Sequence, residues 1–120
     1  MLSSLNLKLD YYKKALGYFD DTNCIYLVFS DDIEKVKGLG LFNNRNVIYM
    51  DGGNSAAIDM YLMTKCSGGN IIANSTFSFW GGYLNDSSDK KVICPRNFVD
   101  ENTKENYING NYYPESWIAI

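Results

Sequence analysis

Histidine is absent from these 120 residues. That absence removes the Ser-His-Asp and Cys-His arrangements of nucleophilic catalysis and most transition-metal sites, so any proton acceptor is a carboxylate or lies outside the chain. Cysteine is scarce: Cys24, Cys66 and Cys94 are odd in number and widely spaced, which fits neither a disulfide framework nor a zinc motif. They read as buried thiols of a reducing compartment. Positive charge is in the minority, with 11 Lys and Arg against 14 Asp and Glu. No basic field gathers phosphate backbones, and nucleic-acid binding is not expected. A small anion is still admissible, because oriented N–H groups hold one without net positive charge. No apolar run reaches the roughly 18 residues of a membrane span. Met1, Leu2, Ser3 and Ser4 also lack the basic and apolar regions of a secretory leader. A cytoplasmic or peripherally membrane-associated location is the expectation.

What is present is the composition of an ordinary packed domain, 46% apolar and 21% charged, and the length fits one hydrophobic core spanning residues 1–120. Residues 5–18 carry Leu9, Tyr12, Leu16 and Phe19 at helical spacing, with Lys13 and Lys14 opposite. Residues 24–29 form a continuous apolar run rich in strand formers, the pattern of a strand covered on both faces. Ser30, Asp31 and Asp32 cap a short helix over 31–37 that stops near Gly38 and Gly40. A strand over 46–50, a capping loop over 51–55 and a helix over 56–66 follow. The pattern then repeats as a strand over 70–73, a cap at 74–76, a helix over 77–84 and a strand over 91–94 ending at Pro95. Short strands alternating with helices, on connections too long for hairpins, predict a parallel α/β sheet. The polar tail over 100–113 predicts a loop or a frayed helix, and residues 115–120 regain apolar character and should pack back. The first element is a helix, whereas a doubly wound domain opens on a strand; a missing first strand is therefore expected.

The most informative segment runs from Asn70 to Asn85, where a strand, a small-polar turn and a helix start succeed one another. The first helical N–H groups at such a junction have no partner inside the helix, and the helix dipole adds positive potential there. A phosphate fits without a lysine. The hydroxyls of Ser75, Thr76 and Ser78 add donors, and Asn74 can orient the turn. Taken alone, Ser75 or Thr76 reads first as a plain N-cap, as most such residues at helix starts do. Phe79, Trp80 and Tyr83 read as core, with Gly81 and Gly82 allowing a neighbour to pack closely. Asp59 borders the apolar face marked by Ala56, Met60, Met63 and Cys66, and either accepts from a ligand or caps a neighbouring loop.

The run from Asp59 to Cys66, followed by the run from Asn70 to Gly81 that includes Asn74, Ser75, Thr76, Phe77, Ser78, Phe79 and Trp80, resembles the C-terminal signature of the α-1,2-fucosyltransferase family, glycosyltransferase family 11. Tyr11 to Ala15, Ser30 to Glu34 and Trp117 to Ile120 fall in the family's order, so the likeness covers nearly the whole chain. It implies a Rossmann-like half of a GT-B glycosyltransferase, with GDP-fucose as donor, a galactoside as acceptor and no metal. Carried over, Ser75, Thr76, Phe77 and Ser78 would contact the pyrophosphate, and Asp59 the guanine or ribose. Departures are Phe79 where the family commonly has Trp, Gly69 where it has a basic residue or His, and Gly82 with Tyr83 where it has Ala-Trp. The family's His-x-Arg-Arg-Gly-Asp motif, expected just before the first helix, does not occur in the sequence.

The resemblance implies inverting transfer of fucose to a galactoside 2-hydroxyl, by a chain incomplete alone whose N-terminal half is missing. The rival from another class is a nucleotide-binding or interaction module that keeps the fold without catalysis. A receiver-like signalling domain built on Ser30, Asp31 and Asp32 lacks a lysine after a late strand and leaves the run from Asn74 to Trp80 unexplained.

Overall fold

The computed structural model describes residues 9–50, 53–96, 98–99, 106–107 and 113–120. Helix α1 (Leu9–Leu16) buries Tyr11, Tyr12, Ala15 and Leu16 and turns Lys13 and Lys14 to solvent. It ends when the bonds tighten to three-residue turns, Gly17 N–H to Lys14 O at 3.1 Å and Tyr18 N–H to Ala15 O at 3.1 Å. Residues 5–8 of the expected helix lie outside the described residues. Strand β1 (Tyr26–Phe29), helix α2 (Ile33–Gly38) and strand β2 (Val47–Met50) then form a first βαβ unit, paired parallel from Tyr26 against Val47 to Phe29 against Met50. Asp32 is the N-cap of α2, accepting from Lys35 N–H at 3.2 Å, so the acidic pair after β1 serves the helix start.

Helix α3 (Ala56–Thr64) leads to strand β3 (Gly69–Ile71), helix α4 (Thr76–Tyr83) and strand β4 (Lys91–Cys94), a second parallel unit with Ile71 opposite Ile93. A short antiparallel pair joins β5 (Phe98–Val99) to β6 (Asn106–Tyr107), and β6 falls within the tail over 100–113 where a loop or frayed helix was expected. The C-terminal segment packs back as foreseen and becomes β7 (Ile118–Ala119), parallel to β4. Alternation along the strands sends side chains to two cores. Ile93, with Ile71 beside it, joins Val28, Val36 and the buried face of α1. Ile72, Val92 and Cys94 face the other way, onto Phe79 of α4 with Tyr113 and Trp117. A parallel sheet with helices on both faces is the doubly covered architecture that the alternating pattern predicts. Among the described residues, no helix is long and apolar enough to cross a membrane.

The strands split into two groups, β2 with β1 and β3 with β4 and β7. An open cleft of about 680 Å³ lies between β1 and β3. This corrects two expectations. The apolar run over 24–29 is not covered throughout: Val28 and Phe29 are buried, whereas Ile25 is 68% exposed. Only Cys94 of the three thiols is buried; Cys24 and Cys66 are half-buried and line the cleft. Burial pushes the Cys94 thiol up to about 12.

A polar network absent from any local pattern ties the lower ends of these elements together. Asn85, 1% exposed, donates to Cys66 O at 2.7 Å and to Asn70 Oδ1 at 2.9 Å. Asn70 donates in turn to Met63 O at 2.9 Å, and Lys90 donates to Gly82 O at 2.9 Å and to Asn85 O. Gly69 takes φ +123, and a Cβ there would lie 1.9 Å from Lys91 O, so no larger residue has room here. Gly69→Ala should lose at least about 2 kcal/mol in urea unfolding. Gly38→Ala, which meets nothing within 4 Å, should stay within about 1 kcal/mol of the parent.

Candidate functional site

In a parallel α/β sheet the helix starts collect at the carboxyl ends of the strands, where ligands of open sheets bind. Two of the longer helices start there behind serine caps. Ser55 caps α3, accepting from Ile58 N–H at 3.3 Å. Ser75 caps α4, accepting from Ser78 N–H at 3.2 Å. With Ser78 N–H capped, the N–H groups of Thr76 and Phe77 have no hydrogen-bond partner among the described residues. Thr76 is exposed, and Asn74, Ser75 and Phe77 are half-buried, so the turn stands open to solvent.

Ser78 differs from its neighbours. It is 2% exposed, and its hydroxyl accepts from Ala73 N–H at 3.1 Å while lying 3.1 Å from the carbonyls of Ala73 and Ser75 and 2.9 Å from Ser75 Oγ. This hydroxyl is engaged inward, where it fixes the end of β3 to the first turn of α4. The four residues of the turn are thus divided: Thr76 is exposed, Ser75 and Phe77 are half-buried, and the buried Ser78 holds their shape.

Asp59 lies in the first turn of α3 and is half-buried. Among the described residues, one oxygen, Oδ1, is buried without a hydrogen-bond partner. A carboxylate oxygen in that state is costly and calls for a donor from outside the described residues. The sequence places Asp59 at the border of an apolar face, but Ala56 of that face is exposed and Met63 alone of it is buried. Met63 packs on Gly81, where a Cβ would meet Met63 Sδ at 2.8 Å. That close approach holds α3 against α4, as the pair Gly81 and Gly82 predicts.

Arg96 is the candidate that the sequence reading missed. Strand β3 pairs with β4 up to Ile71 opposite Ile93, and Arg96 follows the carboxyl end of β4, the same sheet edge at which β3 leads into the turn at Asn74. Its backbone is held by Arg96 N–H donating to Ile120 O at 3.0 Å, and its side chain is exposed. A basic residue directly after Pro95 at a strand's carboxyl end was the available signal. It supplies a positive charge at the edge that also carries the Thr76 and Phe77 N–H groups.

Ser75→Ala should cost about 1 kcal/mol as the loss of an N-cap. Ser78→Ala should cost more, about 1–3 kcal/mol, because it strands the buried Ala73 N–H. Thermal unfolding of the two variants measures the order.

Comparison with known proteins follows the same residues. The sequence profile described as Glycosyl transferase family 11 matches residues 7–120. The chain is 39% identical over 119 residues to an O-antigen biosynthesis glycosyltransferase, WbnK, of Escherichia coli, covering 95% of this chain and 37% of that protein. It is 31% identical over 114 residues to an alpha-1,2-colitosyltransferase of Escherichia coli, covering 92% of this chain and 38% of that protein. It therefore spans well under half the length of either relative. No solved structure matches it.

Proposed function

This chain belongs to glycosyl transferase family 11, and on that premise we propose that it is the donor-binding, Rossmann-like half of a GT-B fucosyltransferase. The donor is GDP-fucose and the acceptor a galactoside. The observation that carries the reading is the start of α4 at the carboxyl edge, where the Thr76 and Phe77 N–H groups have no partner among the described residues; Arg96 follows the carboxyl end of the neighbouring strand β4. The N–H groups of Thr76 and Phe77 take the diphosphate, with the Ser75 and Thr76 hydroxyls as further donors. Asn74 orients the turn and Ser78 locks it. Asp59 Oδ1 accepts from the guanine or ribose, which gives its buried oxygen the donor it lacks.

In the transfer, the acceptor 2-hydroxyl attacks the anomeric carbon with inversion, and the bond from that carbon to the phosphate oxygen breaks. GDP departs with the electron pair. Positive potential at the departing diphosphate lowers that barrier, and fixed donors supply it without reorganising. Arg96 and the α4 start are the part of this potential that the chain provides. The reading assigns no metal. The proton acceptor and the acceptor-sugar site belong to the remainder of a longer enzyme, which agrees with the share of each relative that this chain spans.

The colitosyltransferase among the relatives favours a second reading, in which the sugar carried is colitose and the nucleotide contacts are unchanged. Titration calorimetry of the purified chain with GDP, GDP-fucose, GDP-colitose and ADP separates these. Guanine-selective binding is expected, with Arg96→Gln weakening GDP about tenfold, the size of one charge-assisted hydrogen bond. Tighter binding of GDP-colitose than of GDP-fucose selects the second reading. Absence of binding to a folded chain overturns both and favours a non-catalytic interaction module.

A further inference from the structure

The two sides of the sheet carry helices of different character. On one side α1 and α2 send Tyr11, Tyr12 and Val36 into a shared core and turn charge outward, Lys13 and Lys14 from the first, Glu34, Lys35 and Lys37 from the second. On the other side α3 and α4 pack together through Met63 and Gly81, and the two helices hold a single charged side chain, Asp59. From Cys66 to Asn85 the sequence contains no Asp, Glu, Lys or Arg. A helix that is apolar all round is ordinarily enclosed all round. Here it is not: Ile58 and Tyr61 of α3, Trp80 and Tyr83 of α4 and Leu84 at its C-cap are each 48–60% exposed.

The position of this face limits what covers it. Strands β3 and β4 are parallel neighbours, so α4, which joins them, runs back along the sheet from the carboxyl edge. Its inner side is fixed by Gly82, where a Cβ would meet Val92 at 3.0 Å and Ile72 at 3.4 Å, and Gly81 faces α3. Trp80, one turn after Thr76 and one turn before Leu84, therefore lies on the side turned away from the sheet. A ligand at the carboxyl edge leaves that side uncovered. The rings also make a poor sugar platform, which needs one open plane: Trp80 and Tyr83 meet edge to face at 5.4 Å and 84°, and one side of Tyr83 is stacked on Phe79 with centroids 5.9 Å apart. An aromatic, uncharged, convex surface has the composition of the centre of a protein interface.

We propose that this face is the contact between two copies of the chain, paired about a two-fold axis that passes close to Trp80. Charge selects the occupant. Each copy carries a net charge of -3, and a two-fold contact sets every group against the same patch of its partner, so like charges meet unless the contact region holds none. The outer side of α1 and α2 fails that condition, and the outer side of α4 meets it. Area agrees. A half-exposed side chain of this size offers roughly 100 Å², so five give about 500 Å² per copy and about 1,000 Å² per pair, the lower bound of a specific interface. The proposal uses neither the donor turn nor the identity of the donor.

Sedimentation velocity of the purified chain over a range of concentrations tests it. The mass should pass from one copy to two with a dissociation constant on the order of 10 µM, as an interface at the small end of the range gives. Trp80→Lys and Trp80→Glu should each weaken pairing at least about tenfold. An equimolar mixture of the two should recover it, because the axis sets lysine against glutamate. Ile48→Lys, at an exposed apolar residue outside the face, should pair as the parent does. Circular dichroism establishes that each variant is folded, and Tyr83→Glu reads the same loss if a Trp80 variant is not. A parent that stays monomeric to about 300 µM overturns the proposal, since even a weak specific interface is populated there. Pairing undiminished by the Trp80 substitutions, no recovery in the mixture, or association that continues past two copies overturns it equally, the first by moving the contact elsewhere and the others by removing the two-fold axis.

Discussion

The carbonyl of Ile93 receives two donors, the Ile72 N–H at 2.9 Å and the Tyr11 hydroxyl at 3.1 Å, and the same hydroxyl reaches the Ile72 carbonyl at 2.6 Å. Much of the remaining arrangement depends on this buried junction. It ties α1 to the carboxyl ends of β3 and β4, the strands that deliver the turn at Ser75 and the basic residue Arg96. Buried carbonyls left unpaired are costly, so α1 has one favourable position over the sheet. Burial drives the Tyr11 phenol well above its ordinary range and keeps it a neutral donor.

From that anchor the site is assembled by short links. Ser78 converts the end of β3 into the start of α4, and Gly81 lets α3 approach closely enough to carry Asp59 alongside. At the other end of the elements, Asn85 joins α3, β3 and the loop after α4 through side-chain amides. Phe79, Tyr113 and Trp117 lie with ring centroids 5.2–6.2 Å apart and hold β7 on β4. Residues that meet the solvent edge are therefore few, and those that position them are many. Ser75 and Ser78 are the clearest case: two serines of one motif, one half-buried and capping the helix start, the other buried and bonded to the Ala73 backbone.

Helices and strands were largely legible because their periodicities are local. The strand over 91–94 appears with the bounds expected, and the caps at Asp32 and Ser75 lie where small polar residues meet apolar runs. The short pair β5 and β6 was missed because two-residue strands leave no period to count. Over-reading the apolar run at 24–29 had a different cause. Continuous hydrophobicity reports what a strand is suited to pack against, and the exposure of Ile25 beside an open cleft depends on which neighbour is there.

Sequence alone determined the alternation of elements, the exclusion of histidine chemistry, the family and the turn from Asn74 to Ser78, since each is a matter of residue type and near spacing. Tertiary structure alone decided that Ser78 is buried while Thr76 is exposed, that Asp59 carries a buried oxygen without a partner among the described residues, and that Arg96 follows β4 at the edge where the turn lies. It also decided that the strands fall into two groups with an open cleft between β1 and β3. These rest on register and on contacts between residues far apart in the chain, and the physical reason is that hydrogen-bond partners across strands are chosen by global packing, which no local window contains.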